Sequence, residues 1–245
     1  MNERQEKIYR IILKLGNASI EHLQKEVFAS PATIRRDLKK LEQENLILRV
    51  WGGASALSNI DSPSFIRETE NLEAKRRIAR KAISFISEND CIFLSSGSSL
   101  TELCKVLHPF NNLTIITTCL NVVEILKKNY SFKIMMVGGE LHENYDFVGP
   151  IAKNTINKFS ANVFFFSCTG ITADGFTSKN LLRLDNMQSM QENSTKTILL
   201  CDSSKVGKRY MYKGFGFDKI DYVIMEKEPN DKDLVKALGK KLIIV

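Results

Sequence analysis

Residues Ser30 to Glu42 read Ser-Pro-Ala-Thr-Ile-Arg-Arg-Asp-Leu-Lys-Lys-Leu-Glu. The stretch opens like a helix. Ser30 can accept a backbone N–H bond as N-cap, and Pro31 suits the first helical position. Ile34, Leu38 and Leu41 recur at i, i+4 and i+7 and form one apolar stripe. At about 100° per residue, Ala32, Arg36 and Lys39 fall on the opposite side, with Thr33 and Lys40 beside them. One side is built to dock on a core, and the other carries cations and short side chains. Taken alone, such a segment fits a solvated basic surface helix. It also fits a helix in a DNA groove, where cations meet phosphates and small or fork-shaped side chains reach base edges.

The flanking residues decide between the two. Ile8, Ile11, Ile12 and Leu15 mark an amphipathic helix over 4–15, ended by Gly16-Asn17. Ser19 can cap a second short helix from Ile20 to about Phe28, and Ala29-Ser30 leads straight into the opening stretch. Two short helices joined this tightly, the second basic on its outer face, make a helix-turn-helix pattern. Leu46 to Val50, then Trp51-Gly52-Gly53-Ala54, reads as a hairpin strand and its turn. Three helices and a hairpin form a winged helix-turn-helix. Arg49 can reach a phosphate from the wing; Trp51 either lies on the sugar-phosphate backbone or packs the wing onto the helices. The expected DNA contacts are Ser30, Ala32, Thr33, Arg35, Arg36, Lys39, Lys40 and Arg49.

The chain has 245 residues and a formal net charge of +7, which allows nucleic acid as a partner without demanding it. Residues 1–57 hold ten Lys/Arg against seven Asp/Glu, so the placement of the charges says more than their total. The beginning, Met-Asn-Glu-Arg-Gln-Glu-Lys, is too charged for a signal peptide, and no apolar run would span a bilayer. A cytoplasmic protein is expected. The five cysteines are odd in number and widely spaced, with no C-x-x-C, so they read as buried reduced thiols rather than a metal site; no metal or cofactor is expected.

Residues 55–69 lack sustained periodicity and read as connecting sequence, and Glu70 to Ser87 as a helix. The expected domains are 1–57, a linker over 58–72, and 73–245. In the third, short apolar runs at Cys91–Leu94, Leu113–Thr117, Phe132–Val137, Ala161–Ser167, Thr197–Cys201, Tyr222–Met225 and Leu242–Val245 read as strands. Leu100–Leu107, Val122–Lys128, Asn180–Asn193 and Asp231–Leu238 read as helices between them. This alternation predicts an α/β domain with a largely parallel sheet. Ligands of such sheets gather beyond the carboxyl ends of the strands. Four loops there are rich in small or hydroxyl residues: Ser95-Ser96-Gly97-Ser98-Ser99, Gly138-Gly139, Cys168-Thr169-Gly170 and Asp202-Ser203-Ser204-Lys205. Exposed amides, a helix N-terminus, hydroxyls and a lysine point together to a phosphate-bearing small molecule.

These residues resemble the DeoR family of bacterial transcription regulators. The resemblance runs from Thr-Ile-Arg-Arg-Asp-Leu-Lys-Lys-Leu-Glu (33–42) and Trp-Gly-Gly-Ala (51–54) through Glu73–Arg80, Ser95–Ser99, Val137–Leu141, Val148–Pro150, Thr169–Ile171, Gly175–Thr177 and Asp202–Lys205. It implies a winged helix-turn-helix joined to a sugar-phosphate-sensing domain related in fold to ribose-5-phosphate isomerase and CoA transferases. It also implies a repressor of a carbohydrate operon, released from DNA by a phosphorylated sugar and acting as a dimer or tetramer. Arg35, Arg36 and Lys39 would touch the operator, while Asp37 would hold the helix. The expected ligand-lining set is Ser95, Ser96, Gly97, Ser98, Ser99, Thr117, Gly138, Gly139, Gly170 and Lys205. Three departures stand out. Ser95 replaces a usual Asp, Thr117-Thr118 a Thr-Asn pair, and Met187-Gln188 lies where a Lys-Arg pair is common. On this reading the pocket lacks a carboxylate and up to two cations. Two alternatives are a sugar-phosphate isomerase-like enzyme, which the absent acid at Ser95 disfavours, and a regulator with a degenerate ligand site.

Overall fold

The computed structural model describes residues 1–44, 46–56, 70–128, 131–142 and 145–245. Two units divide the chain, Met1–Arg67 and Glu68–Val245. Most of the expected linker falls outside the described residues; of its positions, Leu72 already opens a helix.

In the first unit, helix α1 (Glu3–Leu15) starts in a capping box. The Asn2 side chain accepts from the Gln5 amide at 2.9 Å, and Gln5 Oε1 accepts from the Asn2 N–H at 3.0 Å. Helices α2 (Ile20–Val27) and α3 (Pro31–Gln43) are capped by Ser19 and Ser30. Ile34, Leu38 and Leu41 pack with Ile8, Tyr9, Ile12 and Leu23 in one buried cluster, as the periodicity requires. Strands β2 (Ile47–Val50) and β3 (Gly53–Ala56) form the wing hairpin over Trp51-Gly52. A short strand β1 (Asn17–Ser19) pairs with β3, giving the order β1-β3-β2. Sequence reading took Asn17 for a turn, because three residues carry no periodic signal. The pairing needs glycine at position 53, since a Cβ there would lie 2.2 Å from the Ala18 carbonyl oxygen. Trp51 is fully exposed, which rules out the alternative in which it packs the wing onto the helices.

Asp37 is the buried polar residue of α3. Its carboxylate accepts from Arg4 Nε at 2.6 Å and from Gln5 Nε2 at 2.9 Å, which ties α3 to α1. Burial pulls the carboxyl upward, but the hydrogen bonds from Arg4 and Gln5 and the charges of Arg4 and Arg36 outweigh it, and its pKa is lowered.

The second unit is built on a seven-stranded sheet in the order β15-β14-β12-β9-β4-β5-β6. The strands are β4 (Cys91–Leu94), β5 (Thr114–Thr117), β6 (Lys133–Met136), β9 (Ala161–Phe166), β12 (Ser194–Leu200), β14 (Tyr222–Met225) and β15 (Leu242–Ile244). Every pairing in it is parallel. All seven runs expected as strands are in it. Their near-continuous apolar character follows from burial on both faces. Alternate residues serve opposite layers: Ile92 and Leu94 pack on one side of the sheet and Phe93 on the other.

Helices α4 (Leu72–Ala82), α5 (Ser98–Lys105) and α6 (Leu120–Leu126) cover the first layer. The second holds α7 (Pro150–Ile156), α8 (Leu181–Glu192) and α9 (Lys232–Leu238). The helix expected to reach Ser87 ends at Ala82 and continues as a single 3₁₀ turn, Ile83–Phe85. Two small antiparallel sheets are additional: β7 (Glu140–His142) with β8 (Asp146–Val148), and β10 (Gly170–Thr172), β11 (Gly175–Ser178) and β13 (Tyr212–Lys213).

Replacing Asp37 by Ala strands the buried Gln5 amide, and the first unit loses about 1–3 kcal/mol in urea unfolding. The acid limb gives the sign. A carboxyl with a depressed folded pKa contributes stability that is present above its unfolded pKa of about 3.9 and lost as pH falls through the lower folded value. The gap between wild type and Asp37→Ala therefore narrows below about pH 4.

Candidate functional site

Strands β4 and β9 are neighbours, yet the chain leaves β4 towards β5 and β6 and returns at β9 to build outward through β12. The segment after β4 joins one helical layer and the segment after β9 the other. Their carboxyl ends therefore part, which opens the crevice where ligands of doubly wound sheets sit.

The Ser95 amide is anchored to the Phe165 carbonyl at 3.1 Å. Gly97 then turns the chain into α5 at φ 141°, a conformation reserved for glycine, and a Cβ there would lie 3.6 Å from Ser167 Cβ. Ser98 and Ser99 form the first turn of α5, and the fully buried Ser99 hydroxyl has no hydrogen-bond partner among the described residues. From the next strand outward, Lys205 Nζ donates to Ser167 Oγ at 2.7 Å and lies 3.4 Å from Asp202 Oδ2. The lysine side chain is 15% exposed. Burial favours the neutral amine, but the Asp202 carboxylate prevails and the lysine pKa is raised, so it stays a cation. Beneath it the Cys168 and Cys201 sulfurs are 3.8 Å apart, and the Cys168 contact with burial pushes the Cys201 thiol up.

The other end of the crevice centres on Asp146, at the start of β8. Its Oδ1 accepts from Thr118 Oγ1 at 2.7 Å and its Oδ2 from Ser96 Oγ at 2.5 Å. Arg183 Nε lies 3.0 Å from Oδ2 as an ion pair, without an aligned hydrogen bond, and the guanidinium also donates to the Ser96 carbonyl at 3.2 Å. Asn180 caps the Arg183 amide at 3.0 Å and meets His142 Nδ1 at 3.1 Å, which holds the arginine at the mouth. A carboxylate and, besides the expected Lys205, a further cation thus lie at Ser96, so the expected lack of a carboxylate and of up to two cations concerns positions 95 and 187–188 alone. Asp146 and Arg183 come from β8 and the first turn of α8 instead. Met187 packs in the core, and Gln188 donates to Glu192 at 2.6 Å.

Other expected residues have different duties. The buried Thr117 hydroxyl donates to the Leu94 carbonyl at 2.7 Å and accepts from the Cys119 amide, so it clamps β4 to β5 and offers no free donor. Gly139 and Gly170 are close-packing positions, where a Cβ would lie 2.6 Å from the Val148 oxygen and 2.2 Å from the Lys208 oxygen. Gly138 is exposed after β6, two strands away from β4. Ser95, Ser96, Gly97, Ser98, Ser99 and Lys205 do converge. Asp146, Thr118, Arg183 and Ser167 were missed. The Asp146 signal was its place just before Val148-Gly149-Pro150, and Arg183 could have been found one turn past the Asn180 cap.

In the first unit, Ala32, Arg35, Arg36, Lys39 and Lys40 lie exposed on the outer face of α3. Ser30 and Thr33 share a 2.9 Å hydroxyl contact at its cap. Arg35, Leu38, Arg49 and Trp51 line an open groove of about 410 Å³, so helix and wing present one surface. Arg49 leans on Glu42 at 3.5 Å, an exposed and weak pair.

Residues 4–59 match a family model described as DeoR-like helix-turn-helix domain, and residues 70–227 one described as DeoR C terminal sensor domain. A glycerol-3-phosphate regulon repressor of Escherichia coli (strain K12) is 31% identical over 234 residues, 93% of this chain and 91% of that one. A lactose phosphotransferase system repressor of Staphylococcus aureus (strain N315) is 30% identical over 237 residues, 94% of each chain. Among solved structures, ribose 5 phosphate isomerase A from Neisseria gonorrhoeae aligns at 18% identity over 55% of this chain and 53% of its own, with a TM-score of 0.40.

Asp146→Ala leaves the Ser96 and Thr118 hydroxyls without their acceptor and Arg183 without its counter-charge. The second unit should lose about 3 kcal/mol in urea unfolding, because removing one partner of a buried pair strands the other.

Proposed function

The chain belongs to the DeoR family, and on that premise we propose that it is a sequence-specific DNA-binding repressor of a carbohydrate operon, relieved by a phosphorylated sugar. The observation that carries this reading is the pairing of a cationic α3 face, free of the core, with a polar crevice at the β4–β9 crossover. Arg35, Arg36, Lys39 and Lys40 contact operator DNA, Arg49 and Trp51 reach it from the wing, and Ser30, Ala32 and Thr33 sit at the groove floor. In the crevice, Lys205, Ser167, Ser99 and the start of α5 take the phosphate, because a buried cation, hydroxyls and a helix N-terminus all favour an anion. Ser96, Asp146 and Arg183 meet sugar hydroxyls with both donors and acceptors. The names of the relatives, which speak of glycerol 3-phosphate and of a phosphotransferase system, support that ligand class.

Paired half-sites are the usual targets of helix-turn-helix proteins, so the working form is a dimer or tetramer in the cytoplasm. Ligand and operator oppose each other by linkage: the phosphate favours an arrangement that holds the two heads at the wrong spacing. The protein is not an enzyme on this reading. A general base works best with a pKa near the operating pH, and Asp202 is moved the other way: burial raises it, but Lys205 and the Ser204 hydrogen bond outweigh burial. Asp146 already accepts from Thr118 and Ser96 and pairs with Arg183.

In a fluorescence-anisotropy titration with DNA from the upstream region of a neighbouring carbohydrate operon, Arg36→Ala weakens binding and lowers the salt slope by about one unit. Unchanged affinity and slope would refute the contact. Lys205→Ala leaves operator affinity intact but abolishes release by the sugar phosphate; release at the wild-type concentration would refute the pocket.

A further inference from the structure

Helix α4 has an unusual start. Asn71 occupies its N-cap in the left-handed region, φ 50° and ψ 36°, and its side chain makes no capping bond. An asparagine there normally accepts from the helix's own amides. Here its Nδ2 instead donates to Asp202 Oδ1 at 3.2 Å, across 131 residues of sequence. Lys75, one turn on, is buried and donates to the Glu70 carbonyl at 2.6 Å. The other oxygen of Asp202 faces Lys205 Nζ at 3.4 Å. One buried carboxylate thus joins the cation of the crevice to Asn71 and the start of α4, the first described helix of the second unit.

We propose that Asp202 is the relay between ligand and linker: phosphate bound at Lys205 draws the ammonium away from Asp202, and the carboxylate then tightens on Asn71 and the first turn of α4. This rests on the reading of Lys205 as the phosphate lysine and adds how occupancy leaves the crevice. Asp202 has two groups of partners, the crevice lysine on Oδ2, and on Oδ1 Asn71 together with the amide and hydroxyl of Ser204, with the charge of Lys75 nearby. Strengthening one hold at the expense of the other is the differential contact that coupling between two sites requires. Coupling is reciprocal, so whatever shifts the start of α4 on DNA binding also changes phosphate affinity at Lys205.

The test uses the full chain with inorganic phosphate as the probe. Phosphate affinity is read by thermal shift, and the start of α4 by amide hydrogen exchange over residues 72–78. In the wild type, bound phosphate slows that exchange by about fivefold or more, the low end of ordinary site-to-site coupling. Asn71→Gly keeps the left-handed backbone without the amide, so the chain folds, binds phosphate and shows no slowing. Asn71→Asp, nearly identical in shape but facing Asp202 with like charge, also loses the response. Lys205→Ala loses both binding and response. The same slowing in Asn71→Gly, or phosphate bound by the wild type with no change in α4, overturns the relay alone. Wild-type phosphate affinity in Lys205→Ala, or a wild type that binds none, overturns the phosphate lysine and the relay with it.

Discussion

The reversal of strand order between β4 and β9 is the constraint on which the second unit depends. Parallel strands must be joined by crossovers, and a chain that first builds to one side of β4 and then to the other sends adjacent loops to opposite layers. The gap needs no special residues; it follows from topology. What the sequence adds is its lining: a serine-rich turn that only Gly97 allows, and the Lys205 loop after β12. The small β7–β8 sheet closes one side by carrying Asp146 against Ser96 and Thr118.

The first unit meets a different constraint, which is to hold a basic helix still while leaving its cations in water. Ile34, Leu38 and Leu41 supply the adhesion through burial, and Asp37 supplies the orientation through two directed bonds to α1. An apolar residue at position 37 would add burial without fixing the helix about its own axis. An acid there also offsets part of the positive charge that Arg35 and Arg36 place next to it. In both units a buried carboxylate fixes the geometry beside cations, Asp37 next to Arg4 and Arg36 and Asp146 next to Arg183.

The parts legible in the sequence were those whose signal repeats. All seven strands of the parallel sheet showed as apolar runs because both of their faces are covered, and α1 to α3 showed as 3.6-residue stripes, with Ser19 and Ser30 legible as caps of α2 and α3 and the Asn2 cap of α1 not. Apart from the wing hairpin, the short antiparallel strands stayed hidden, since three residues of β1 or β7 make no periodic pattern. Glycines misled for a related reason. Gly139 and Gly170 read as anion-binding turns, but what demands glycine there is the approach of Val148 and Lys208 backbone, which only the folded chain shows. The crevice was half legible: its Ser95–Ser99 turn and Lys205 are local motifs. Asp146 and Arg183 lie beside the Val148-Gly149-Pro150 and Asn180 signals and not in them, and only the folded chain sets them against Ser96.

The central claim, that a phosphate held at the β4–β9 crossover controls a DNA-binding head, is tested most directly by a crystal structure of the full chain with a sugar monophosphate that releases it from operator DNA. The account predicts phosphate oxygens within hydrogen-bond distance of Lys205 Nζ and the first turn of α5, with sugar hydroxyls toward Asp146 and Arg183. A releasing ligand found anywhere else in the molecule, with the crevice empty, would contradict it.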